Sequence, residues 1–78
     1  MVFYTKNGCP LCDEARDLLD YLRDEFSLTI REIDIATDIT LYERYKNTVP
    51  VVVVDSKFTL EGRIEEDELR SYLNKAAR

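Results

Sequence analysis

The sequence predicts an α/β domain of order βαβαββα, built on a four-stranded mixed sheet with helices on both faces. Three observations carry this. Residues 10–26 repeat apolar side chains at helical spacing, Val51-Val52-Val53-Val54 is an extended run with no polar face, and short β-favouring runs alternate with amphipathic stretches along 78 residues. A chain of that length supports one hydrophobic core, so residues 1–78 are expected to form a single domain.

The first strand is read at Val2-Phe3-Tyr4-Thr5, where β-favouring residues give way to the turn-forming group Lys6-Asn7-Gly8. From Pro10 onward Leu11, Ala15, Leu18, Leu19, Leu22 and Phe26 recur at helical intervals, while Asp13, Glu14, Arg16, Asp17, Asp20, Arg23 and Asp24 fill the other face. Proline in the first turn, with acidic residues beside it, marks the start, because both suit the positive end of a helix dipole. A second strand is expected over residues 27–35, SLTIREIDI, with Arg31 and Glu32 demanding an exposed side or an edge position. Thr37 or Asp38 then caps a short helix running to about Lys46, for which Ile39, Leu41, Tyr42 and Tyr45 are the candidate apolar contacts.

The valine run must be covered on both faces. Asp55-Ser56-Lys57 reads as a tight turn that returns Phe58-Thr59-Leu60 as a hairpin arm, and Gly62 ends that arm. A terminal helix begins in Glu65-Glu66-Asp67-Glu68 and carries Ile64, Leu69, Tyr72, Leu73 and Ala76 at helical spacing. The first two strands, joined through a helix, should lie parallel with a right-handed crossover, and the last two form an antiparallel hairpin.

Eleven Lys and Arg stand against sixteen Asp and Glu, giving a net charge of -5 with no basic cluster. Nucleic acid and anionic membrane surfaces are therefore not expected as partners, since both require grouped cations. No apolar run approaches the ~20 residues of a membrane-spanning helix. The opening Met-Val-Phe-Tyr-Thr-Lys leaves no room for a basic region followed by an apolar signal segment, so a cytoplasmic location is expected.

Both cysteines fall in Thr5-Lys6-Asn7-Gly8-Cys9-Pro10-Leu11-Cys12, and three roles compete for them: a redox pair, half of a metal site, or a structural staple. Permanent disulfides are rare in a reducing compartment, and the short loop from Cys9 to Cys12 removes little entropy from the unfolded chain. Structural zinc wants four Cys or His ligands, yet the chain has two cysteines and no histidine, so only a dimer contributing both pairs would complete a thiolate set. A CxxC beside a βαβ pattern reads first as a redox pair. Cys9 lies just before the helix, near its unpaired N–H groups and downstream of Lys6, which favours a thiolate there. Cys9 is accordingly the candidate attacking thiol. Cys12, one turn further in and more covered, is the candidate resolving thiol.

With Tyr4-Thr5-Lys6-Asn7-Gly8-Cys9-Pro10-Leu11-Cys12 at a strand-to-helix turn and Thr48-Val49-Pro50 before the buried strand, the chain resembles the glutaredoxins and glutaredoxin-like members of the thioredoxin superfamily over essentially its whole length. The resemblance implies a thioredoxin-like fold of glutaredoxin type, with Pro50 following a cis peptide and facing the CxxC. It implies Cys9 as nucleophile, Cys12 as resolving thiol and Lys6 as a contact for a glutathione carboxylate. Thr48, Val49 and Pro50 would form a substrate-binding stretch in which the Val49 backbone pairs with the cysteinyl part of glutathione or with a bound peptide.

The sequence departs from that pattern where glutathione-using glutaredoxins usually carry Gly-Gly and then aspartate: it reads Leu60-Glu61-Gly62-Arg63-Ile64-Glu65-Glu66. Leu11 also stands where many dithiol glutaredoxins have tyrosine. The function implied is that of a monomeric dithiol-disulfide oxidoreductase with no tightly bound cofactor, serving redox homeostasis and electron transport. Its substrates would be disulfide-containing proteins or glutathione mixed disulfides. The reductant would be glutathione as co-substrate or, alternatively, a thioredoxin reductase. A dimer holding an iron-sulfur cluster between Cys9 thiolates, with glutathione as co-ligand, is a further alternative that the resemblance carries.

Overall fold

Local chemistry sets the limits of the first helix. Cys9 precedes it in an extended conformation and Pro10 occupies its first turn, where a missing N–H costs nothing. At the far end Ser27 turns left-handed, with φ 53°, and the chain reverses there. In the computed structural model, which describes residues 1–76, the elements are β1 (Val2–Thr5), α1 (Pro10–Phe26), β2 (Arg31–Asp34), a 3-10 turn (Ile35–Thr37), α2 (Ile39–Tyr45), β3 (Val51–Val54), β4 (Phe58–Glu61) and α3 (Glu66–Ala76). The expected order βαβαββα is present, with the 3-10 turn added.

The four strands lie in the order β2-β1-β3-β4. β1 pairs with β2 in parallel and with β3 antiparallel, and β3 and β4 form the antiparallel hairpin. Three residues, Asp55, Ser56 and Lys57, connect β3 to β4; Asp55 and Ser56 both take positive φ, 54° and 56°, at the centre of a turn closed by the Lys57 N–H on the Val54 carbonyl. Side chains from successive strands line up in rows: Phe3 faces Val52, and Val52 faces Leu60. All three are buried, in a core shared with Ala15, Leu19, Leu22, Leu69 and Leu73.

Alternation along β1 sends Tyr4 to the opposite face from Phe3. There its ring stacks on Tyr45 of α2 at 4.7 Å, whereas Arg16 of α1 lies over Phe3. The helices α1 and α2 therefore cover opposite faces. α3 joins α1's side, with Tyr72 stacked on Phe58 and Arg70 over Phe26.

Two expectations need correction. β2 spans Arg31–Asp34 rather than 27–35, because a strand extends only as far as its partner: Val2, the first residue of β1, is opposite Arg31. Residues 27–30 instead form the reversal after α1, with the Leu28 N–H bonded to the Arg23 carbonyl. On α2, Leu41 and Tyr45 pack against the core, but Ile39 is 74% exposed and Tyr42 is also exposed. Asp38, whose carboxylate accepts the N–H groups of Thr40 and Leu41, fixes where α2 starts and so which residues turn outward.

Arg70 joins α3 to α1, donating to Glu25 and to Glu66. The hydrogen bond from Arg70 holds the Glu25 carboxyl below its ordinary value of 4.5. A carboxylate with a depressed folded-state pKa adds stability above its unfolded value and loses it as pH falls through the folded one. The stability difference between wild type and Glu25→Gln should therefore be present at neutral pH and vanish on acidification below 4.5, read as urea midpoints. A difference that persists unchanged in acid would remove the ion pair from the account. The effect should be small and weakened by salt, because the pair faces solvent.

Candidate active site

β1 is held on both sides within the sheet, so the turn that leaves its C-terminal end starts from a fixed point. That turn passes Gly8, whose φ of 71° is a conformation glycine adopts without cost. Cys9 then acts as N-cap of α1. Its sulfur accepts the Cys12 N–H at 3.2 Å, and its carbonyl accepts the Asp13 N–H at 3.1 Å. Cys9 and Cys12 are joined as a disulfide, with Cα atoms 5.2 Å apart.

The two sulfurs sit in different surroundings. Cys12 is 0% exposed and belongs to the core, whereas Cys9 is partly exposed at its margin. An incoming thiol or disulfide meets Cys9 first. The Cys12 N–H in the first turn of α1 donates to the Cys9 sulfur, and this together with the helix dipole favours negative charge on it when the disulfide opens.

Thr48-Val49-Pro50 reaches the same end of the sheet because β1 and β3 are neighbours. Continuing the antiparallel register beyond Tyr4 and Val51 sets Lys6 across from Val49. The Val49-Pro50 peptide is cis, and Pro50 is fully buried. The N–H groups of Thr48 and Val49 both donate to the Tyr45 carbonyl, at 2.9 and 3.0 Å. The Gly62 N–H, just past β4, donates to the carbonyls of Thr48 and Pro50 at 3.1 and 3.0 Å. Among the described residues the Val49 carbonyl accepts no backbone hydrogen bond and is open to a partner, while the Val49 N–H, in the preceding peptide, is used internally.

Lys6 is half-buried, and its ammonium donates to the Lys46 carbonyl at 3.0 Å. It thus ties the cysteine turn to the C-terminal end of α2, where a cation is favoured by the helix dipole. Lys6 is therefore not a fully solvated turn residue, and the bond to Lys46 uses one of the three N–H donors of its ammonium. Arg63 leans toward Glu14, 3.8 Å away, over a cavity of about 90 Å³ lined by Leu11, Glu14, Ala15, Arg63, Ile64 and Glu65.

Sequence reasoning missed the role of the last turn of α2. The Tyr45 and Lys46 carbonyls anchor the Thr48-Val49 segment and the cysteine turn respectively. It also missed Thr5, buried at the end of β1; the alternation of Val2-Phe3-Tyr4-Thr5 with Phe3 inward was the available signal.

Comparison with known proteins gives a consistent answer. The profile of the glutaredoxin-like domain (DUF836) matches residues 1–74. The glutaredoxin-like protein YDR286C homolog of Dictyostelium discoideum is 32% identical over 73 residues, covering 86% of this chain and 68% of that one. A probable thioredoxin of Archaeoglobus fulgidus is 28% identical over 78 residues, 96% of this chain and 86% of the relative. Among solved structures, the X-ray structure of target protein XcR50 from X. campestris superposes with a TM-score of 0.79 at 26% identity, covering 95% of each chain. A malarial protein gives a TM-score of 0.72 at 13% identity over 99% of this chain and 94% of that one, a likeness of fold alone. Matched from residue 1 to 74, with a thioredoxin-like fold and a redox-type cysteine pair at the start of its first helix, this chain belongs to the glutaredoxin-like domain family.

Proposed function

We propose that the protein is a thiol-disulfide oxidoreductase that reduces disulfides of protein substrates through Cys9 and Cys12. The observation that carries this is the asymmetry of the pair, with a partly exposed sulfur at the helix start and a buried one a turn behind. In the dithiol form the Cys9 thiolate attacks a substrate disulfide, forming a mixed disulfide and releasing one substrate thiolate. Cys12 then attacks the Cys9 sulfur, the Cys9–Cys12 bond forms, and the second substrate thiolate leaves. Two electrons pass to the substrate, and two thiols of a reductant restore the dithiol. We place the protein in the cytoplasm, as a monomer, serving redox homeostasis and electron transport.

Cys12→Ser removes the second step and not the first. It should accumulate a substrate joined to Cys9, seen as a mass increase that dithiothreitol reverses. Turnover at the wild-type rate with no trapped species would defeat the resolving role of Cys12.

A second reading concerns the reductant. The cavity between α1 and Arg63 holds about 90 Å³, against the roughly 300 Å³ at which small-molecule pockets begin. Its cation already leans on Glu14. These features favour a protein reductant, such as a thioredoxin reductase, over glutathione held in a closed site. The experiment oxidises the protein and compares its return to the dithiol by glutathione and by an NADPH-driven thioredoxin reductase. Faster return by the reductase is expected. Faster return by glutathione overturns the reductant assignment, and failure to reduce a protein disulfide at all overturns the oxidoreductase reading.

A further inference from the structure

Thr5 is the one buried polar residue among the described residues, at 4% exposure, and its hydroxyl has no hydrogen-bond partner among them. Buried hydroxyls are normally satisfied, because an unmatched one loses its bonds to water and gains nothing. Its place in the fold indicates what it is for.

On β1, Phe3 and Thr5 share a face, and the opposite face belongs to α2 through the Tyr4–Tyr45 stack. Thr5 is therefore turned toward α1. The Arg16 guanidinium of α1 lies 5.8 Å from the centre of the Phe3 ring, and only residues 6–9 separate Thr5 from the first residue of α1, so the start of the helix stays close to the end of β1. α1 runs back along β1, as a crossover between two parallel strands must. Moving from Phe3 to Thr5 advances roughly 6.6 Å along the strand. Moving one turn back from Arg16, to Cys12, covers roughly the same distance, about 6 Å, along the helix. Thr5 lies at the level of the first turn of α1, where Cys9 and Cys12 are joined and where Cys12 is wholly buried.

We infer that Thr5 is a positioning residue for the dithiol form: its hydroxyl stands without a partner beside the closed disulfide and becomes the hydrogen-bond partner of the Cys12 sulfur once the S–S bond opens. The inference rests on the reading that Cys9 and Cys12 cycle. When a dithiol reduces the pair, the Cys9–Cys12 bond breaks and the two thiols of the reductant become its disulfide. Two electrons pass to the two sulfurs, and the two protons follow them or go to water where a sulfur remains as thiolate. A disulfide sulfur makes little demand for a donor, whereas a thiol or thiolate at a fully buried position does. Cys9 already has the Cys12 N–H. Among the described residues, no other buried polar side chain is available to Cys12. Thr5 thus stabilises the dithiol selectively and makes the disulfide easier to reduce.

The test uses Thr5→Val, which keeps the shape and removes the hydroxyl, beside Thr5→Ser, which keeps the hydroxyl. The equilibrium constant between disulfide and dithiol is measured against dithiothreitol, and the thermal midpoint of each form is measured separately. Loss of one hydrogen bond of ordinary strength should move that equilibrium about tenfold toward the disulfide, a potential about 30 mV more negative for a two-electron couple. Thr5→Ser should stay close to wild type. In Thr5→Val the midpoint of the dithiol form should fall and that of the disulfide form should hold or rise. An unmoved equilibrium constant, or an equal fall of both midpoints, overturns the inference, because a merely structural hydroxyl affects both forms alike. Thr5→Ala, which also lacks the hydroxyl, gives the same reading should valine prevent folding. A wild-type protein that cycles with dithiothreitol while Thr5→Val matches it defeats the role of Thr5 alone. One that does not cycle defeats the oxidoreductase reading as well.

Discussion

Replacing Cys9 with serine is expected to abolish the reduction of protein disulfides, a loss of at least about a thousandfold, because the covalent intermediate requires sulfur at that position. A serine hydroxyl is almost wholly protonated near neutral pH and forms no disulfide with a substrate. The substitution should leave the fold intact. Cys9 serves as N-cap of α1, accepting the Cys12 N–H, and serine is a preferred residue for that duty. The measurement pairs a turnover assay on a protein disulfide with far-ultraviolet circular dichroism of the dithiol form. Activity retained with a native spectrum would remove Cys9 from the chemistry.

The largest effect on stability is expected from Phe3→Ala. Phe3 is buried on the inner face of β1, opposite Val52 in β3, and under the guanidinium of Arg16. Truncating a buried phenylalanine costs about 3–5 kcal/mol through lost transfer energy and an unfilled cavity. For a chain of 78 residues the whole stability is on the order of 4–12 kcal/mol, so this one change removes a large share of it. Urea unfolding of the dithiol form reads the effect without a contribution from the disulfide. The comparison is Ile39→Ala, at a residue 74% exposed, which should stay within about 0.5 kcal/mol of wild type. A loss below about 1 kcal/mol for Phe3→Ala would mean that the core under α1 closes around the gap.

What was legible in the sequence was what local chemistry decides. Pro10 after Cys9, and an apolar spacing that runs out at Phe26, mark α1 because caps and periodicity act within a few residues. The valine run announces β3 because only an extended segment covered on both faces tolerates it. β2 was overread because its length depends on β1: Thr29 and Ile30 favour a strand but have no β1 residue to pair with. Ile39 was misjudged for the same reason, since the Asp38 cap sets the rotation of α2.

The site divides along the same line. Cys9, Cys12 and Thr48-Val49-Pro50 carry side chains or ring constraints that a reader of sequence recognises. The contacts that arrange them run largely through the carbonyls of Tyr45, Lys46, Thr48 and Pro50. Every residue has a carbonyl, so residue type does not reveal which ones will be used. Lys6 shows the difference: its charge is visible in the sequence, but its acceptor, the Lys46 carbonyl, comes from the fold.

The two walls of the site are moored to one short piece of backbone. Tyr45 and Lys46 hold the Thr48-Val49 segment on one side and the Lys6 turn on the other, yet α2 has seven residues and none of them is fully buried. Segments with so little buried surface open at a low fraction of the global unfolding free energy. Fraying of that final helical turn should therefore free both walls together, an expectation that hydrogen exchange at the Val49 amide, bonded to the Tyr45 carbonyl, would time.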